Sequence, residues 1–172
     1  RHPEDYPQYV RGADIVSFDI YPVVHDRPAV RGKLWYLARG VDRLVGWAGA
    51  KRPAWNCIEC THIGNASAKP TPVQVKAEVW MSLIHGSRGL IYFCHQFEPR
   101  FVEAGLLADD EMAQAVGRIN RQIHALAPVL NSATIADSVA ISADPANLPE
   151  DHARQLGSGP IAAMVKRHKG DT

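Results

Sequence analysis

At 172 residues, with 46% hydrophobic and 22% charged positions, the chain has the composition of a globular protein large enough to bury one sizeable core. Nineteen Lys and Arg balance 18 Asp and Glu to a formal charge of +1. With no run of five like charges, the sequence offers neither a nucleic-acid footprint nor a basic membrane-binding surface. The longest apolar stretches, residues 13–24 and 87–97, are interrupted by Asp19, Arg88 and His95 and stop short of the ~20 residues a membrane helix needs, and three cysteines cannot form a full disulfide framework.

The run from Ala13 to Pro22 is dense in β-branched and aromatic residues and reads as a strand buried on both faces. From Lys33 the period changes. Leu34, Leu37, Ala38, Val41, Leu44, Val45 and Ala48 recur at three- and four-residue spacing, which predicts an amphipathic helix ended by Gly49 and Pro53. The pattern then repeats: a strand over Ala54–Cys60, a Gly-, Ser- and Pro-containing loop over 64–72, a helix from about Val73 to His85, and a third strand over Leu90–Phe97. Asp109 or Asp110 caps a further helix whose Met112, Val116, Ile119, Ile123, Leu126 and Leu130 share one face.

Strands that alternate with helices of this length predict parallel βαβ units. Because the strands recur about every 35 to 40 residues and a closed eight-unit barrel takes ~250, only about three units fit. Residues 1–130 are therefore read as about three units of a barrel domain, which the family resemblance carried by their strands makes its C-terminal portion. Residues 131–172 read as a linker and the beginning of an appended β domain, with short β-like runs at 134–141 and 161–166 and surface charges at Asp137, Asp144, Glu150 and Asp151. Arg1 is not an initiator methionine, and a hairpin at Lys169-Gly170 is followed by the last residue almost at once, so both ends read as cut.

In a parallel barrel the chemistry gathers where strands end. The late positions here are Asp19 and Tyr21 in the first strand, Asn56, Glu59 and His62 in and after the second, and His95, Gln96 and Phe97 in the third. Glu59 is the most informative, since a carboxylate late in an apolar strand is costly unless it is paired or faces a site. Acidic residues at strand ends also commonly cap a helix or pair with an Arg. Cys57-Ile-Glu-Cys60 suggests zinc, but residues three apart on a strand point to opposite faces, so Cys57, Cys60 and Cys94 are expected to be inert thiols. Gly86-Ser-Arg-Gly89 precedes a strand, whereas a phosphate loop follows one. The tryptophans at 35, 47 and 80 fall on helices and are expected to pack between helix and barrel.

Three segments carry a resemblance: Ala13-Asp-Ile-Val-Ser-Phe-Asp-Ile-Tyr-Pro22, Pro53-Ala-Trp-Asn-Cys-Ile-Glu59, and Trp80-Met-Ser-Leu-Ile-His-Gly-Ser-Arg-Gly-Leu-Ile-Tyr-Phe93. From about Asp14 to Leu130 the chain resembles the sixth to eighth strands of clan A (β/α)8-barrel glycoside hydrolases, especially bacterial enzymes related to cellulases and β-galactosidases. The resemblance implies that Glu59 is the catalytic nucleophile of a retaining, two-carboxylate cleavage of a β-linked glycoside. It also implies that Tyr21 stands near the nucleophile and that His95 or Phe97 walls the sugar subsite; Asp19, Asn56 and His62, at the same strand ends, are read as further substrate-binding positions, and no cofactor or metal is expected. The His95-Gln96-Phe97 segment departs from the Trp often found on the last strand. No Asn-Glu pair, the acid/base signature of the clan, occurs in the sequence. The expected partners are a carbohydrate and either the N-terminal half of a barrel or a second association surface. The competing readings are a non-catalytic carbohydrate-binding or self-associating barrel remnant, and a barrel enzyme in which Glu59 abstracts a proton.

Overall fold

The computed structural model describes residues 2, 4–136, 138–142 and 160–169. It falls into two compact units, Arg1–Gln122 and Ile123–Thr172, divided within the last long helix.

The first unit opens with α1 (Tyr6–Tyr9) and a 3₁₀ turn (Val10–Gly12), and then alternates β1 (Val16–Asp19), α2 (Trp35–Ala48), β2 (Ala54–Glu59), α3 (Pro72–Ile84), β3 (Gly89–Phe93) and the first part of α4 (Asp110–Leu130). The three strands form one parallel sheet in the order β1-β2-β3. Val16 to Asp19 stand opposite Ala54 to Cys57, and Trp55 to Glu59 stand opposite Gly89 to Phe93. The helix starts and stops follow local chemistry. Thr71 and Gln74 form a reciprocal capping box on α3 with Pro72 in its first turn. Asp109 caps α4 by accepting from the Met112 N–H at 3.1 Å. α2 ends where Gly49 takes a positive φ of 63°.

Side-chain alternation splits the sheet into two unlike faces. Val16 and Ala54 are buried with Leu44 and Ala48 of α2, Asn56 bonds Ser82 of α3, and Tyr92 bonds Asn120 of α4. These sheet residues share one parity in the register, so all three helices cover the same face. Sequential strand order combined with crossovers of a single hand produces this arrangement. The other face carries Ser17, Asp19, Trp55, Cys57, Ile91 and Phe93. Ser17, Asp19 and Ile91 are exposed, and the other three are half-buried.

The expected parallel α/β alternation is present, with two corrections. β1 is buried on its helix side only. β3 ends at Phe93 rather than Phe97, because the chain leaves the sheet there: Gln96 pairs with Val102 in an isolated antiparallel bridge, and the Phe97 and Glu98 N–H groups donate to the His62 carbonyl. Trp35 also departs from expectation. It is 45% exposed and stacks on Tyr36 at 4.1 Å rather than entering the core, whereas Trp47 packs against the core cluster and stacks on Tyr6 at 4.8 Å.

In the second unit, beyond the end of α4, β4 (Ala133–Thr134) pairs antiparallel with β7 (Lys166–Arg167), and β5 (Ile141–Ser142) with β6 (Pro160–Ile161). Asp137, Asp144, Glu150, Asp151 and Gly170 lie outside the described residues.

Packing between α2 and β1 yields a paired prediction. A methyl group on Gly40 would overlap the Phe18 ring, while one on Gly46, on the same helix, meets nothing within 4 Å. Gly40→Ala is expected to destabilise by about 1–3 kcal/mol through overpacking. Gly46→Ala is expected to stabilise by up to about 1 kcal/mol through helix propensity. Urea unfolding of the two variants checks both signs.

Candidate active site at the strand ends

Glu59 is the last residue of the central strand, and its side chain is fully buried. A charge there is tolerable only with donors around it. The chain following β1 supplies them: the Val23 N–H donates to Oε1 at 2.7 Å and the Val24 N–H to Oε2 at 3.0 Å. The third neighbour is Glu78, which occupies a core position on the buried stripe of α3 with Val75, Val79 and Ser82. Burial pushes the Glu59 carboxyl above its ordinary range, against the pull of the Val23 N–H, the Glu78 carboxyl, the Val24 N–H and the His25 charge. The expectation of a carboxylate open to a sugar is thus corrected, since Glu59 in this conformation meets two backbone amides and a second carboxyl.

Asp19 and Tyr21 end β1 on and beside the open face. Asp19 is exposed and lies close to the Tyr21 hydroxyl. Burial raises the Tyr21 phenol first, followed by the Asp19 charge, with Cys57, the hydrogen bond to Asp19 and Glu59 adding to it. Cys57, which stands opposite Asp19 in the register, is likewise raised by burial and then by Asp19. Its thiol is therefore held in the neutral form, as expected for an inert cysteine. Cys60 is fully buried, and all three cysteines are free.

The aromatic residues make an arc across this end of the sheet. Tyr21 lies 5.6 Å from Phe93, Phe93 lies 5.9 Å from Phe97 and 6.0 Å from His95, and Phe101 lies 5.6 Å from Phe97 and 6.1 Å from His95. Phe97 is 47% and Phe101 61% exposed. His95 Nδ1 faces the Glu103 carbonyl, which only accepts, so this bond needs the proton on Nδ1. His62 Nδ1 makes the same kind of bond to the Asn65 carbonyl at 3.1 Å, and its own carbonyl ties down Phe97 and Glu98.

Of the residues singled out in the sequence, Asp19, Tyr21, His95 and Phe97 are brought to one end of the sheet beside Glu59, with His62 supporting the loop that carries Phe97. Asn56 is not among them. Strand alternation turns it to the helix side, where it is fully buried and its Nδ2 donates to Ser82 Oγ at 2.9 Å. Sequence reasoning passed over Glu78, whose signal was a carboxylate in the apolar stripe of a helix, and Phe93, which stands opposite Glu59 on β3. Phe101 sits in an irregular loop with no periodic signal.

Among the described residues, the ligand atoms of His2, Glu4 and Asp5 lie within 4.8 Å of one another near the N-terminus, with His2 and Glu4 exposed. No described helix is long and apolar enough to cross a membrane. Comparison of the chain with protein families, with curated proteins and with solved structures gives no match.

The two sheet faces make opposite demands on substitution. Asn56→Ala removes a buried hydrogen bond and leaves Ser82 short of its donor, for an expected loss of about 1–3 kcal/mol. Phe97→Ala, at a half-exposed loop position, is expected to stay within about 0.5 kcal/mol. Chemical denaturation distinguishes the two.

Proposed function

We propose that the chain is the carbohydrate-binding sector of a (β/α)8-barrel glycoside hydrolase, contributing the sixth to eighth βα units and the nucleophilic carboxylate Glu59. The observation that carries the proposal is the placement of Glu59. It is the terminal residue of the middle strand in a sequentially ordered parallel sheet whose helices share one face, and it sits beside Tyr21 and an arc of aromatic rings. Aromatic faces suit the C–H surface of a pyranose, and Asp19 and His95 offer polar contacts to its hydroxyls. Such a combination of apolar wall and few polar groups is typical of small-ligand sites.

Among the described residues the edge of β1 away from β2 pairs with no strand, which supports the same reading. A groove of about 680 Å³ runs beside it, lined by Val10, Ile15, Val16, Phe18, Tyr36 and Trp47 among others. An unpaired parallel edge of this kind invites a further strand. The remaining units of a barrel fill that role in the proposal, and they also supply the acid/base carboxyl.

In the retaining reaction, Glu59 Oε attacks the anomeric carbon as the glycosidic C–O bond breaks, and the leaving oxygen takes its proton from that acid/base residue. Water then hydrolyses the glycosyl ester. The second reading is a sector that binds sugar without turning it over. The full burial of Glu59 favours it, because an attacking carboxylate has to present a lone pair to substrate.

Two measurements on the gene product that carries this chain separate the readings. A 2-fluoroglycoside inactivator is expected to leave a glycosyl ester on Glu59, located by peptide mass mapping. Glu59→Gln is expected to cut hydrolysis of an aryl β-glycoside by about 10⁴-fold or more. Sugar binding without an adduct, together with hydrolysis unchanged by the substitution, would remove the nucleophile assignment and leave the binding module. Phe97→Ala and Phe101→Ala are expected to weaken β-linked oligosaccharide binding under either reading, measurable by titration calorimetry.

A further inference from the structure

Glu78 is fully buried in the apolar stripe of α3, and neither of its carboxyl oxygens receives a hydrogen bond of good geometry. The polar side chain in contact with it is the carboxyl of Glu59. Two carboxylates cannot meet in a dry interior as two charges, so one of the pair holds a proton. The donors decide which. Two backbone N–H groups converge on Glu59 with good geometry, stabilising its charged form, whereas only the backbone N–H of Glu59 approaches Glu78 and no donor meets either of its oxygens with hydrogen-bond geometry, which leaves an oxygen free to carry hydrogen.

We propose that Glu78 is a neutral carboxylic acid that donates its proton in a hydrogen bond to the Glu59 carboxylate, making it a positioning residue that fixes Glu59 from the helix side. Three donors from two separate segments then hold one anion: the Val23 and Val24 amides after β1, and the Glu78 hydroxyl of α3. The other titratable groups around the pair are Cys60, raised by burial and by the two glutamates, and His25, whose charge favours ionised Glu59. The thiol is neutral and His25 lies on the Glu59 side, so neither supplies Glu78 with a counter-charge.

The Glu78 carboxyl is pushed up to about 10, first by burial, then by the Glu59 charge and the hydrogen bond to it, with only the Glu59 backbone N–H opposing. An acid raised in the folded state contributes stability that is fully present below its unfolded value near 4.5, declines as pH rises above it, and is lost as pH passes through the raised value. The pair is titrated as a unit.

The catalytic meaning of this arrangement rests on the reading of Glu59 as nucleophile, but the location of the proton does not. The test is a carbon-13 NMR titration of the chain with carboxyl-labelled glutamate. One side-chain carboxyl signal is expected to stay at the protonated-acid shift from pH 6 to 8, while the solvent-exposed glutamates are fully ionised. Glu78→Gln is expected to abolish that signal, to keep the unfolding midpoint at pH 6, since the amide still donates to Glu59, and to flatten the midpoint's decline between pH 7 and 10. Glu78→Ala lowers the midpoint throughout. Absence of a protonated carboxyl signal at pH 7 overturns the proposal, as does its survival in Glu78→Gln. The unsubstituted chain alone gives the first of these answers if the variants fail to fold. Loss of hydrolysis in an independent assay would bear on the nucleophile and not on the proton.

Discussion

A carboxylate without solvent is the constraint around which this end of the molecule is built. Glu59 ends the central strand in a position where an unpaired charge would cost several kcal/mol, and two segments distant in sequence are shaped to meet it. After β1, the chain passes a fully buried Pro22 and presents two successive amides, Val23 and Val24, to the two carboxyl oxygens. On α3, a position that the helical period assigns to the core is occupied by Glu78. The same contacts that satisfy Glu59 therefore join β2 to the segment following β1 and to α3. What orients the carboxylate is also what packs the unit.

The sheet that delivers Glu59 is one-sided, and this asymmetry links fold to site. Parallel sheets ordinarily have both faces covered, yet among the described residues no helix of its own unit lies upon the face carrying Trp55, Cys57, Ile91 and Phe93. In a closed barrel that face is the packed interior, and the strand ends open at one mouth where ligands collect. The rings of Tyr21, Phe93, Phe97 and Phe101 stand at that end, with Asp19 and His95 among them. A one-sided sheet and a polar-aromatic rim at its C-terminal end are two aspects of one architecture.

Period was legible in the sequence, and facing was not. The three-four spacing in 34–48 placed a helix observed at Trp35–Ala48, and the acid before Met112 proved to be the cap of α4. Both signals are local, because one helical face or one capping side chain settles them. Asn56 and Cys57 show the contrary case. Adjacent on a short strand with apolar neighbours on both sides, they carry no local mark of which points toward helices, and only the register with Asp19 and Leu90 assigns Asn56 to Ser82 and Cys57 to the open face. β3 was read too long because Cys94 to Phe97 follows the strand with no Gly or Pro to break it, while its backbone partners, Val102 and His62, come from outside the sheet. Glu78 was masked by its helix: in the sequence it looks like one of the charges that any amphipathic helix exposes.

The identity of Glu59's neighbour bears on what Glu59 is for. A lysine or arginine at position 78 would satisfy a buried carboxylate more strongly, through charge as well as hydrogen bonding. It would also spread the anion's charge onto a permanent cation and lower its reactivity toward an electrophilic carbon. A neutral acid orients the carboxylate through one hydrogen bond and leaves the net charge of the pair at minus one. For a purely structural tie between β2 and α3 that choice is inferior, because an apolar pair of equal volume would hold the elements together without any desolvation penalty. Retention of a full negative charge at a buried strand end, steadied by groups that do not neutralise it, is the arrangement a nucleophilic carboxylate requires. A charge steadied without being neutralised, at the end of the middle strand, favours the proposed role of Glu59 in chemistry.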